Sequence, residues 1–313
     1  MNRNSFAFGI ALTLALVPIS WAERLSGSPT CEFSGGAYYK SNNTLYLESI
    51  NNESARVDVS DVAQMCVKSN ARKPYNVIVE RNSALTSYST IVLPLNATLR
   101  NSCARLYMPI QMGKDRDGNW SITAKNSSSQ TDANRPMLMM VDTGRDACLN
   151  IKEIEFSSNY DLSGTRDAVL EIYNNVSNRQ DWSFVGTYSY VGWKSGDSDL
   201  GRIYGYAAKN QGTFNAGQFV KVGAGATIAP LRAYLKYTGS LPLAKSVNSM
   251  ELPETIDVKL VDDEEEGTTR LVRWNTVTGE ITKVNGWFDL NGRKLDAKPE
   301  NKGMFVGKKT IKK

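Results

Sequence analysis

Apolar and polar side chains alternate along much of this chain, as they do in strands with one buried face. Val77 and Val79, Ile91 and Leu93, Trp182 through Tyr190, and Gln218 through Val222 all follow this period of two. Clusters of Asn, Asp, Gly and Ser interrupt the runs at short intervals, as in NNES, KDRDGNW, KNSSSQTDAN, SGDSDLG and AKNQGTFNAG. These residues tolerate the dihedral angles that turns require. Helical spacing is confined to short stretches such as Asp61 to Val67. Many short strands without a long helix predict an all-β fold, an antiparallel β-sandwich of jelly-roll or immunoglobulin-like type. Trp182, Phe184, Tyr188 and Tyr190 should share one core-facing side of a strand, with Gly186 leaving room for close packing. Leu93-Pro94 should end another strand, because proline cannot donate to a ladder.

The pattern also divides the chain. Residues 1–22 carry Arg3, an apolar run from Phe6 to Val17, Pro18, and then Ser20, Trp21 and Ala22, which together read as a cleaved secretory signal peptide. The apolar run is short of the roughly 20 residues that span a bilayer, and no second run of that kind follows, so no transmembrane segment is expected in the mature chain. Residues 23–240 form the expected sandwich, read as one continuous unit. The prolines and small polar residues of 241–256 suggest a linker. Residues 257–313 read as a small C-terminal β-hairpin region, with turns at Thr278-Gly279 and Asn291-Gly292.

Composition narrows the chemistry. The chain has no histidine, which excludes Ser-His and Cys-His catalysis and histidine-ligated metals. The formal charge of +5 is concentrated near the C-terminus, leaving the body close to neutral and nucleic acid unsupported as a partner. Four cysteines, Cys31, Cys66, Cys103 and Cys148, favour two disulfides in an oxidising compartment. Three pairings are open; moderate loop lengths favour Cys31 with Cys66 and Cys103 with Cys148.

Several local motifs have a plainer reading than a functional one. Val222 to Ala226, VGAGA, lacks the lysine and the helix of a phosphate-binding loop and reads as a tight turn. Asp115 to Trp120, DRDGNW, reads as an Asp-Gly turn. No cofactor is expected, although Asp197 and Asp199 of GDSDLG could lend ligands to a structural calcium ion. Trp193 and Tyr204 flank that polar turn and are the candidate ligand-binding aromatics. Arg232, set between apolar residues, is expected on a solvent or edge face. The carboxylates are scattered in turns or gathered in the solvated run Asp262 to Glu266, so nothing selects the acid and base of a glycosidase.

Four stretches in fixed order, YSTIVLPL (Tyr88 to Leu95), ANRPMLM (Ala133 to Met139), DWSFVGTYSYVGWKSGDSDLGRIYGYAA (Asp181 to Ala208) and AGQFVKVGAGATIAPLRAYLKY (Ala216 to Tyr237), carry a resemblance. Together they resemble a β-sandwich family of secreted and surface proteins of fibre-degrading and gut-dwelling Gram-negative bacteria. The ending WFDLNGRKL…KPENKGMFVGKKTIKK resembles a type IX secretion sorting signal, with Trp287, Gly292, Arg293, Gly303, Lys308 and Lys309 matching the pattern. The stretch between Gly303 and Lys308 is shorter than is usual in such signals. The resemblance implies export through the periplasm to the outer surface or the medium, with the outer-membrane secretion machinery as a partner. The resulting expectation is a non-enzymatic protein for adhesion or for binding polysaccharide or another surface component. The alternatives are a purely structural module and, less favoured, a carboxylate glycosidase.

Overall fold

The computed structural model describes residues 27–114, 117–240 and 252–261, with the backbone of four short strands at 272–274, 281–283, 287–288 and 294–295. In chain order the first elements are β1 (Cys31–Phe33), β2 (Gly36–Tyr39), β3 (Thr44–Ser49), helix α1 (Asp61–Asn70), β4 (Tyr75–Arg81), β5 (Tyr88–Ile91) and β6 (Ala97–Leu99). There follow β7 (Ala104–Lys114), β8 (Trp120–Asn126), β9 (Gln130–Thr131), β10 (Met137–Val141), β11 (Glu153–Ser158), β12 (Ala168–Asn174) and β13 (Arg179–Thr187). The last are β14 (Val191–Gly192), β15 (Ile203–Tyr206), β16 (Phe219–Lys221), β17 (Thr227–Ile228), β18 (Arg232–Tyr237) and β19 (Thr255–Val261).

Among the described residues the fold is β apart from α1 and one 3-10 turn, and its strands form a closed mixed barrel and a second sheet instead of a clear antiparallel sandwich. Eight of them close on themselves in the order β12-β13-β18-β15-β16-β19-β8-β7, with β7 returning to β12. The ring is mixed, because β8–β19 and β7–β12 are parallel. A second sheet, β1-β2-β3-β4-β11-β6-β9, also contains one parallel pair, β3–β4. Parallel neighbours need a crossover, and α1 lies between β3 and β4 in the chain. Alternation reports which face of a strand is buried. It does not report which strand lies beside which, so closure and parallel pairing were invisible to it.

Strand β7 is the branch point. Its first half pairs with β10 and its second half with β12, while β8 runs along its other edge. The ladder with β8 slips between Pro109 and Gln111. Pro109 lacks a backbone donor, and a bulge there bends the strand where one neighbour gives way to the next. Strand β10 carries β5 on its far side, extending the barrel wall toward the second sheet.

The folded unit continues past Ser240. Residues 241–256 were expected to be a linker, yet β19 begins at Thr255 and fills the gap between β16 and β8. Five consecutive residues, Asp257 to Val261, pair in parallel with Ser121 to Lys125. Ile256 is buried and Val258 and Leu260 pack against the barrel core, while Asp257 and Lys259 between them are exposed, so the strand alternates as its sequence does; what the alternation leaves open is its place between β16 and β8.

Two cores result. The barrel interior is aromatic, with Trp182 meeting the rings of Trp120, Tyr204 and Tyr237 at centroid distances of 5.8, 5.5 and 5.1 Å. The larger core, between the second sheet and the barrel wall, is mainly aliphatic: Leu45, Leu47, Val77, Val79, Leu93 and Ile154 are among its members. The expected aromatic face of β13 is shared between the two cores. Trp182 and Phe184 enter the barrel, whereas Tyr188, beyond the strand end, joins the aliphatic core and donates to Asn134 Oδ1 at 2.8 Å. A Cβ on Gly186 would lie 3.0 Å from Ala168 and Val92, so glycine is needed for that approach.

Disulfides join Cys31 of β1 to Cys66 of α1, and Cys103, just before β7, to Cys148 of the 3-10 turn. The helix starts at Ser60, whose Oγ accepts from Ala63 N–H at 3.2 Å as an N-cap, and it buries only Ala63 and Val67. In the C-terminal region Val272–Trp274 pairs with Ile281–Lys283 and Trp287–Phe288 with Lys294–Leu295, both antiparallel. The 1–22 segment and Gly292, Arg293, Gly303, Lys308 and Lys309 lie outside the described residues.

Candidate functional site

Two arginines stand at the junction of the second sheet and the barrel. Arg81 ends β4, whose period of two buries Tyr75, Val77, Val79 and Arg81 on one face. Its guanidinium, 1% exposed, donates to Ser49 Oγ and to the Thr90 carbonyl, each at 3.0 Å. Ser49 Oγ in turn donates to the Pro230 carbonyl at 2.6 Å, and Thr90 Oγ1 bonds both backbone groups of Ala233. Arg81 is thus a strut that ties the ends of β3 and β4 to β5 and β18. Burial, reinforced by the nearby charge of Arg232, lowers its pKa.

Arg232 opens β18, opposite Thr187 of β13. It shares the outer face of the barrel with Tyr234 and Lys236, while Ala233 and Leu235 point inward. Strands β5 and β17 pack beside β18, which leaves Arg232 only partly exposed, and its pKa is lowered by desolvation. The expectation of a solvent or edge position fails for that reason. No hydrogen bond or ion pair holds Arg232 among the described residues, and its Nε is buried without a partner. Guanidinium stays charged in proteins, so this is a partly desolvated cation without a counter-charge.

The backbone before it is strained. Leu231 adopts φ +61°, in the left-handed region, although it is a bulky buried residue. Such a conformation costs about 1–3 kcal/mol and persists only where the surroundings impose it. Here the Leu231 N–H donates to the Thr187 carbonyl at 2.7 Å and its carbonyl accepts from Val92 N–H at 3.2 Å. These bonds set the direction in which Arg232 leaves the backbone.

Arg232 lines a pocket of about 350 Å³ together with Asn51, Asn82, Ser83, Tyr88 and Tyr206. No Asp or Glu is among the residues lining it. The hydroxyls of Ser89 and Tyr206, two of the residues lining it, are buried and have no partner among the described residues. Tyr206 meets the edge of Tyr88 at a centroid distance of 6.0 Å. Its hydroxyl pKa is pushed up, first by burial and then by Tyr88 and Tyr107, so it stays a neutral donor. Gly217, at φ +84°, supports the wall from behind: a Cβ there would lie 2.8 Å from the Tyr88 ring. The result is a recess to which Arg232 lends a positive charge and whose lining holds no acid, suited to an oxyanion.

The residues singled out from the sequence lie elsewhere. Tyr204 is fully buried inside the barrel and donates to the Pro253 carbonyl at 2.7 Å, so neither ring face is free to stack on a sugar. Trp193 is 5% exposed, with its ring edge-on to Tyr234 at 5.2 Å; it borders a separate recess with Glu53, Tyr190 and Lys194. Asp197 Oδ2 accepts from the Lys194 N–H at 2.7 Å, closing its own turn, and Asp199 Oδ2 pairs with Lys236 Nζ at 2.8 Å. No group of three or more His, Cys, Asp or Glu side chains that could hold a metal occurs among the described residues.

Sequence reasoning missed Arg81. The signal was present, since a charged residue at an inward position of an otherwise apolar period-two strand has to find partners in the core. No protein-family model, curated protein or solved structure matches this chain.

Proposed function

We propose that this chain is an exported, non-enzymatic binding protein that acts at the cell exterior, in adhesion to polysaccharide or another surface component, with the junction pocket as its binding site. The observation that carries this reading is Arg232, a partly desolvated cation without a partner among the described residues, in a recess with no acid in its lining. Binding is favoured over glycoside hydrolysis because hydrolysis needs two carboxylates flanking the bond, and the pocket lining supplies none. Two disulfides suit an oxidising compartment, in keeping with the signal-like 1–22 segment. The C-terminal region serves as the address read by the outer-membrane secretion machinery. The sandwich-like part of the fold is the packing of the second sheet on one wall of the barrel.

Retention of the oxidised protein on a panel of polysaccharides, neutral (cellulose, hemicellulose) and acidic (polygalacturonate), tests the reading. Retention on at least one, without release of reducing sugar, supports a binding protein. Failure to bind any of them favours the structural module, and release of reducing sugar points to the hydrolase.

A further inference from the structure

We propose that the junction pocket takes an acidic sugar, with the oxyanion of its carboxylate or sulfate ester on Arg232 and its hydroxyls on the neutral polar wall. The proposal rests on the reading of the chain as a binding protein and adds the chemical class of the ligand.

The argument begins with the two cations. Like charges held close disfavour each other; burial lowers the pKa of both Arg81 and Arg232, and the charge of Arg232 lowers that of Arg81 further. Arg81 has two of its donors satisfied by Ser49 and Thr90, which fixes its position and leaves its charge uncompensated. Arg232 makes no side-chain hydrogen bond or ion pair among the described residues, and its Nε is buried without a partner there. An anion beside Arg232 relieves the repulsion and the desolvation together, whereas a neutral ligand relieves neither.

Carboxylates and sulfate esters present paired oxygens that match the planar guanidinium fork, so bidentate hydrogen bonding is available to either. The rest of the wall argues for a sugar rather than a bare ion. Asn51, Asn82, Ser83 and Thr227 offer side-chain amides and hydroxyls of both hydrogen-bonding senses, and Tyr88 and Tyr206 supply apolar ring surface. The volume of about 350 Å³ lies at the small end of ligand pockets, about 300–1,000 Å³, and so fits one or two sugar rings better than a long chain. The strain at Leu231 fits the same account, because a backbone held out of its preferred region beside an unpartnered charge preorganises that charge.

Isothermal titration of the full oxidised chain with glucuronate, glucose 6-sulfate and glucose tests the proposal. One or both acidic sugars should bind, glucose should not, and the tighter of the two acids identifies the anion. Arg232→Gln should weaken that binding by about 10- to 100-fold, the loss of hydrogen bonds to a charged group. Arg232→Lys, which keeps the charge and loses the fork, should fall between. Tyr206→Phe is the second arm if the Arg232 variants fold poorly: its buried hydroxyl has no partner among the described residues, so the unliganded melting temperature should hold or rise while affinity drops by about 2- to 10-fold. Equal binding of glucose, or unchanged affinity in both Arg232→Gln and Tyr206→Phe, overturns the assignment. If polysaccharide retention persists in Arg232→Gln, the binding-protein reading stands and only the ligand class falls. If no polysaccharide and no sugar binds the wild type, both fall.

Discussion

The barrel and the second sheet solve the same edge problem by different means. The barrel has no free edge, because eight strands close in a ring, and its interior is packed with aromatic rings. The second sheet is open, with β1 and β9 as edges, and the aliphatic core beneath it holds both disulfides. Closure by hydrogen bonds needs every strand in place. An open sheet tolerates frayed ends when covalent links shorten the unfolded chain. The polar groups left unpaired where the two regimes meet, Arg232 and the hydroxyls of Ser89 and Tyr206, mark the place where neither kind of order is complete.

The largest test of this contrast is truncation. A chain ending at Ser240 lacks β19 and leaves β16 and β8 without their shared neighbour, so it should aggregate or unfold, whereas a chain ending at Val261 should keep the wild-type circular dichroism spectrum. A well-folded 27–240 fragment would remove β19 from any role in closure. Next is Trp182→Ala, which empties the centre of the aromatic cluster and should cost about 3–5 kcal/mol by urea unfolding. Replacing either cysteine pair by alanine should cost about 2–4 kcal/mol, given sequence separations of 35 and 45 residues. Hydrogen exchange should then quicken in β1–β4 before it does in β13 and β18; uniform quickening would mean that the two regions unfold as one.

The two arginines sharpen the contrast on a smaller scale. Arg81→Met breaks the strut and leaves the Thr90 carbonyl without its donor, for a loss of about 2–3 kcal/mol. Arg232→Met breaks no side-chain bond among the described residues and should stay within about 1 kcal/mol of wild type, or be stabilising. Equal losses would place both side chains in the same structural role.

The smallest effect is titration of Glu48. Its pKa is raised by burial and then by Glu80, its parallel partner in register. The folded state therefore holds this proton to a higher pH than the unfolded chain, and the group destabilises the fold as pH rises from the unfolded to the folded pKa. Glu48→Gln should gain stability over wild type above that window, within about 0.5 kcal/mol, and show no gain below it. A gain that is independent of pH would rule out titration as the cause.

Much of this could be read from the order of residues, and the failures share a cause. The turns, the Ser60-led helix and the inward residues of β4 follow local rules, and local rules act within a few residues. Closure of the barrel by β19 does not: Ile256, Val258 and Leu260 alternate with Asp257 and Lys259 as in any half-buried strand, and that pattern carries no information on its parallel seat beside β8. The pocket was hidden for a related reason. Arg232 alternates with inward Ala233 and Leu235 as an outward residue should, and its partial burial comes from β5 and β17, which are distant in the chain from β18 or turn back on it. Trp193 and Tyr204 drew notice as aromatics near a polar turn, yet the fold spends both on packing.

The central claim is that Arg232 faces a ligand while Arg81 only braces the wall. Side-chain NMR of 15N-arginine-labelled protein observes both Nε–H groups during a glucuronate or glucose 6-sulfate titration. The account predicts a saturable shift of the Arg232 signal, with Arg81 moving far less and glucose leaving both unchanged. Two signals that stay in place with both acidic sugars, or that move equally with glucose, would contradict it.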